Sequence, residues 1–238
     1  RRSPQLPLVD DVRRRLEVCS STRCVARRYW EITERWLDSQ GAVALILGGN
    51  VTDWGAYDQA RLEPLMRIVR AASLPILGLC GGLQFIALAH GFDVGPIRTL
   101  APGEDDAGAS FGAGYLKEWG YTEVDVLADQ DPVFDGLTES GEPPIFLEAH
   151  YCEVKAVPEG FELLASTPMT PVQAFRRTGT LVYGTQFHPE AYIAQPDDAD
   201  NCLIRQVYPD GYAGRRPAGR RFLMNFFRTA GIQNEPVR

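Results

Sequence analysis

Residues 75–87 read PILGLCGGLQFIA: an apolar strand, a Gly-x-Cys-x-Gly turn and an apolar helix. This is the setting of a nucleophile elbow with Cys80 at its tip. A residue on so sharp a turn takes a strained backbone conformation, tolerated only where its neighbours have no side chains to collide. Gly78, Gly81 and Gly82 supply that room. The helix that follows aims its free N–H groups and positive dipole end at the sulfur, favouring thiolate over thiol. A buried cysteine that merely packs is the commoner case. Packing does not need three glycines, and that argues for chemistry here. Cys19, Cys24, Cys152 and Cys202 have no such setting and read as packing residues.

A thiolate acting on an amide needs a base, normally His, held by a third group. The chain offers only His90, His150 and His188. In LVYGTQFHPE, His188 ends an apolar strand, Pro189 stops it for want of an N–H, and Glu190 follows at i+2. That carboxylate is near enough to take one ring N–H and fix the tautomer, turning the other nitrogen to the sulfur. A strand-end His paired with an acid for stability alone is common, but a cysteine in need of a base competes with that reading. His90, just before Gly91, reads as a helix-end or core residue. His150, where a loop enters a strand, reads equally as pocket-lining or as packing. Gly48-Gly49-Asn50 ends an apolar run, and backbone N–H groups there, with the amide of Gly81, form a candidate oxyanion hole.

The elements that must position these residues alternate along the chain. Residues 10–18 and 29–39 pattern as polar helices, the second with Trp30, Ile32 and Trp36 near one face. Residues 42–47 and 75–79 are uninterrupted apolar runs, as expected of parallel strands covered on both faces. Helices are expected over 57–71, with Leu62, Leu65, Met66 and Val69 on one stripe, and over 82–91. Residues 101–114 have a loop composition. Shorter strands are then expected at 122–127, 145–147, 151–157, 161–165, 172–175 and 181–187, too closely spaced for crossover helices and so antiparallel. Residues 191–220 read as a long surface loop, and 222–229 as a closing helix. The expected fold is α/β: an open, mostly parallel central sheet with helices on both faces and antiparallel strands in the C-terminal half. No linker divides the chain, so one domain over 1–238 is expected.

Composition narrows the function classes. With 24 Lys+Arg against 31 Asp+Glu, the net charge of −7 disfavours nucleic acid or an anionic membrane as main partner. No apolar run approaches the ~20 residues of a membrane span, and the Arg-Arg-Ser-Pro start lacks a signal-peptide core. A cytoplasmic protein is expected. Five cysteines without a C-x-x-C pair give neither a disulfide framework nor an ordinary zinc site, so no metal and no cofactor are expected.

Together LGLCGGLQ, TQFHPE and LILGGN resemble the class I (triad) glutamine amidotransferases, in the family's order and approximate spacing. EWGYTEVDVLADQDPVFDGL and EAHYCEVKAVPEGFELLAS resemble the family's stretch between them, so the likeness covers residues 40–230 approximately. It implies a flavodoxin-like sheet and cysteine attack on the side-chain amide of glutamine. Cys80 is then nucleophile, His188 base and acid, Glu190 its orienter, and Gly49 and Gly81 the oxyanion donors. The likeness also implies that Gln84 holds bound glutamine, with Glu118 and Gly120 in a loop beside it. His150 is grouped with these substrate-side residues. There are departures. The strand expected before the first helix is missing or reduced to residues 6–9, Gly81 replaces a larger residue after the nucleophile, and 191–220 is longer than usual.

Three functions follow as expectations. The first is a glutaminase that supplies ammonia to a separate synthetase partner, since this chain has no room for a synthetase domain and no G-x-x-x-x-G-K-[ST] loop. The second is a stand-alone hydrolase of γ-glutamyl amides or peptides using the same triad. The third is a non-catalytic binding protein, against which the intact Cys80, His188 and Glu190 speak.

Overall fold

The computed structural model describes residues 6–107, 111–157, 159–192 and 218–232. Cys202 and most of the 191–220 segment lie outside the described residues. In chain order the elements are α1 (Leu6–Ser20), α2 (Glu34–Gln40), β1 (Leu45–Leu47), α3 (Gln59–Ala71), β2 (Ile76–Leu79), α4 (Gly81–Ala89), β3 (Val94–Pro96) and β4 (Glu118–Glu123). There follow β5 (Asp125–Val126), β6 (Ile145–His150), β7 (Cys152–Val154), β8 (Phe161–Ser166), β9 (Ala174–Arg177), β10 (Val182–Thr185) and α5 (Gly219–Thr229). Among the described residues no helix is long and apolar enough to cross a membrane.

These elements fall into two compact units. One comprises Arg27–Glu118 and His150–Phe187; the other is drawn from Arg1–Ala26, Trp119–Ala149 and His188–Arg238, so far as these are described. In the first unit, strands run in the order β1-β2-β10-β9-β8. β2 pairs parallel to both β1 and β10, with Leu47 opposite Gly78 and Thr185 opposite Leu79. β9 pairs antiparallel to β10 and to β8, and β3 antiparallel to β7. The mixed α/β class, its parallel centre and its antiparallel additions are as the sequence patterns predict. All four residues of β2 and all four of β10 are buried, which is why both read as continuous apolar runs.

Helix α4 is apolar almost all round and buried accordingly. It can lie against the sheet because its glycines carry no side chain. A Cβ on Gly78 would stand 2.5 Å from the carbonyl carbon of Gly82, and one on Gly82 would overlap the carbonyl oxygen of Leu47. Ahead of it, α3 begins at Gln59, where the Asp58 side chain accepts from the Ala60 N–H. It buries Leu62, Leu65, Ile68 and Val69, while Met66 is only partly buried.

Three expectations are corrected. Residues 6–9, expected as a residual strand, are the first turn of α1. Pro7 fits there because first-turn N–H groups have no acceptor within the helix. The single helix expected over 29–39 is two pieces, a 3₁₀ turn at Tyr29–Glu31 and then α2. Ile32 is extended, and Thr33 caps α2 by accepting from the Trp36 N–H at 3.2 Å. The strand expected at 122–127 is displaced, as β4 covers Glu118–Glu123 and is followed by the short β5.

In the second unit β4 and β6 pair, apart from their end residues Glu118 and His150, which belong to the first. α5 packs there through Phe222, whose ring centroid lies 5.5 Å from that of Phe134 and 5.9 Å from that of Phe146. It starts hard against the chain at Pro189, where a Cβ on Gly219 would overlap the proline carbonyl oxygen. This fixes the segment that carries His188 and Glu190.

Candidate active site

Cys80 lies between the end of β2 and the first turn of α4 with φ 51° and ψ −104°. A non-glycine residue rarely adopts this conformation, which costs about 1–3 kcal/mol. Hydrogen bonds hold it in place: its N–H donates to the Thr185 carbonyl at 2.7 Å, and its own carbonyl accepts from the Gln84 N–H at 3.2 Å. The residue is 5 % exposed. Gly81, as the first residue of α4, has an N–H without an acceptor in the preceding turn. Gly49 lies two residues past β1.

The sulfur borders a cleft formed with Asn50, Asp53, Trp54, Phe111, Tyr151 and Cys152. The Tyr151 hydroxyl donates to Asp53 Oδ1 across it, and the Tyr151 ring stacks on Tyr115 at 5.6 Å. Beneath, Gln186 Nε2 is 3.5 Å from Cys80 Sγ. Gln84, a predicted substrate contact, has its amide engaged by protein. Its Oε1 accepts from Trp54 Nε1 at 3.0 Å, and its Nε2 donates to the Cys152 carbonyl at 3.0 Å and to Gln186 Oε1 at 3.3 Å. Cys152 shares the cleft with Cys80, but burial and the charge of Asp53 push its thiol up to about 11. Burial also pushes the Tyr29 hydroxyl upward; it donates to the Gly48 carbonyl at 2.6 Å.

His150 also lines this cleft, so the pocket-lining reading of it holds. The imidazole is buried, with Nδ1 3.0 Å from the Cys152 carbonyl and Nε2 3.1 Å from Glu118 Oε2. Glu118 stands in strand β4 rather than in a loop, and takes further hydrogen bonds from Thr167 Oγ1 at 2.6 Å and Gln173 Nε2 at 2.6 Å. Burial raises its carboxyl, but these donors, His150 first, outweigh burial and hold it below its ordinary value. Gly120, two residues on, has φ 111°, which suits glycine alone. His90 sits at the end of α4 as expected, its Nδ1 2.8 Å from the Ile86 carbonyl, with Gly91 left-handed after it.

His188 and Glu190 belong to the second unit. Both are nearly buried, and His188 Nδ1 lies 2.8 Å from Glu190 Oε1. The His188 N–H donates to the Leu147 carbonyl at 2.8 Å, bridging it to β6. The chain turns back at once, the Ala191 N–H donating to the His188 carbonyl at 3.1 Å. An imidazole whose Nδ1 is held by a carboxylate presents Nε2 for proton transfer.

Sequence reading missed Asp53, Trp54 and Tyr151, and it gave no role to Gln186. Only Gln186 left a signal, lying two residues before His188 in an extended segment.

Comparison with known proteins places these residues in context. A family model described as glutamine amidotransferase class-I matches residues 16–201. One of the separately encoded subunits of a glutamine-hydrolyzing GMP synthase, from Methanobrevibacter smithii, is 30% identical over 156 residues, covering 66% of this chain and 68% of that protein. A glutamine-hydrolyzing GMP synthase of Streptomyces avermitilis is 31% identical over 152 residues, 64% of this chain but 25% of that longer protein. Among solved structures, a candidate GMP synthase subunit from Thermoplasma acidophilum has the same fold. Its TM-score is 0.65 at 24% identity, covering 94% of this chain and 88% of that one.

Proposed function

Since the chain belongs to the class-I glutamine amidotransferase family, we propose that it hydrolyses L-glutamine through Cys80, His188 and Glu190 and yields ammonia to a separate synthetase. The observation that carries this reading is the left-handed Cys80 at the strand-to-helix turn, with an amide donor on its sulfur.

The Cys80 thiolate attacks the side-chain amide carbon of glutamine, forming a C–S bond and a tetrahedral oxyanion. The amides of Gly49 and Gly81 stabilise that oxygen. His188 takes the thiol proton and delivers it to the departing nitrogen, so the C–N bond breaks and ammonia leaves. Glu190 holds Nδ1–H throughout and stabilises the transient imidazolium. Water, deprotonated by His188, then attacks the γ-glutamyl thioester. Glutamate leaves, and the proton returns to the sulfur. His150 and Glu118 border the glutamine side of the cleft, and Gly120 continues the strand beside it.

The first partner to test is the synthetase component of a GMP synthase, because relatives near 30% identity are named as single subunits of that enzyme. The decisive experiment is a glutaminase assay of the wild type, Cys80→Ala and Cys152→Ala, each with and without that partner. Activity in the wild type, faster with partner and lost on Cys80→Ala alone, is expected. A folded wild type inert with every synthetase tried, or a Cys80→Ala variant that retains activity, would overturn the assignment. Preference for γ-glutamyl amines over glutamine would instead indicate the stand-alone hydrolase.

A further inference from the structure

We propose that Trp54, Gln84 and Gln186 form a one-way chain of hydrogen bonds that turns an amide N–H onto the sulfur of Cys80. Gln186 is then a catalytic residue that touches the nucleophile, and Gln84 and Trp54 are positioning residues acting through it. This rests on the reading of Cys80 as nucleophile.

The direction of the chain follows from which groups can donate. An indole N–H can only donate, so Trp54 Nε1, 3.0 Å away, fixes Gln84 Oε1 as the acceptor. Gln84 Nε2 is left facing two oxygens, the Cys152 carbonyl at 3.0 Å and Gln186 Oε1 at 3.3 Å. Rotating the Gln84 amide by half a turn would set oxygen against oxygen on that side and N–H against N–H at Trp54. With Oε1 of Gln186 committed, its NH2 group is the end that meets Cys80 Sγ at 3.5 Å. Gln186 is fully buried and its backbone N–H donates to the Gln173 carbonyl at 2.7 Å, so the side chain is anchored at its root.

An amide NH2 donates and cannot accept, so it satisfies a thiolate and does nothing for the proton of a thiol. Nothing else facing the sulfur within this unit competes for that role. Tyr29 and Cys152 are held protonated by burial. Asp53 is bound by the Tyr151 hydroxyl, and His150 is held between Glu118 and the Cys152 carbonyl. The remaining favourable influence is the N-terminus of α4, which acts on any group at this position.

The test is carboxamidomethylation of Cys80 by iodoacetamide in the full chain, without glutamine, mapped by peptide mass spectrometry across roughly pH 5–10. The midpoint of its rate profile reads the thiolate. In Gln186→Leu it should rise by about 0.5–1 pH unit, the shift one hydrogen bond supplies. Trp54→Phe keeps a ring against Phe85 but removes the directing N–H, and should raise the midpoint by less. An unchanged or lowered midpoint in folded Gln186→Leu overturns the proposal. Should that variant fail to fold, the same result in Trp54→Phe overturns it. An unshifted Trp54→Phe beside a shifted Gln186→Leu removes Trp54 and Gln84 from the chain. Because no turnover is measured, a shifted midpoint in a protein without glutaminase activity would keep the hydrogen-bond chain and remove the function assigned above.

Discussion

Gly81 and Asn50 share one small space. A Cβ on Gly81 would overlap Asn50 Oδ1 and come within 2.9 Å of the Asn50 backbone nitrogen. Asn50 cannot easily give way, because its Nδ2 donates to the Thr52 carbonyl at 2.6 Å. The missing side chain after the nucleophile therefore leaves no hole, as Asn50 fills it from the loop that follows β1.

Gly81→Ala should accordingly push that loop, and Gly49 with it, out of place. A loss of about 1–3 kcal/mol is expected from the collision, together with reduced glutaminase activity. Adding Asn50→Gly should recover most of both, since alanine is otherwise the better helix residue by about 1 kcal/mol. Urea midpoints and initial rates of the two single variants and the double variant decide this. Strictly additive losses would show that the two residues do not compete.

Glu190→Gln should slow turnover while leaving glutamine binding largely intact. The carboxylate 2.8 Å from His188 Nδ1 both fixes the tautomer and balances the imidazolium. An amide can do the first at best. A fall in kcat on the order of 10²- to 10⁴-fold, with KM changed little, is the expected pattern. Wild-type kcat in the variant would remove Glu190 from the mechanism.

Glu118→Gln should make the protein less sensitive to acid. In the folded chain this carboxyl lies below its ordinary 4.5, its hydrogen bonds from His150 and Thr167 outweighing burial. A depressed carboxyl contributes stability that is fully present above the unfolded value and fades as pH falls through the folded one. The wild type should therefore exceed the variant in stability at neutral pH, and the gap should narrow below about pH 4.5. Urea unfolding of both proteins between roughly pH 7 and pH 3 measures this. A gap that stays constant across the range would contradict it.

Much of the fold was legible because local chemistry dictated it. Residues 75–79 and 82–91 announced β2 and α4 by unbroken apolarity, and the intervening glycines announced the elbow. His188 and Glu190 were legible as a pair because two residues of extended chain span a hydrogen bond. What could not be read depends on contacts between distant segments. Gln186 meets Cys80 across 106 residues, Tyr151 meets Asp53 across 98, and Trp54 meets Gln84 across 30. No local pattern encodes such pairings. The split of the 29–39 helix was missed for a different reason. The spacing of Trp30, Ile32 and Trp36 hid a β-branched Thr33 that serves α2 better as a cap than as an interior residue.

The positive φ of Cys80 sets fold and chemistry against each other at one residue. Glycine would sit at 80 without strain, so the elbow as pure architecture would favour glycine over any side chain. A lineage released from the need to react could relax there in a single step and gain stability. Keeping a cysteine in that conformation is a sacrifice of stability that packing alone gives no reason to make.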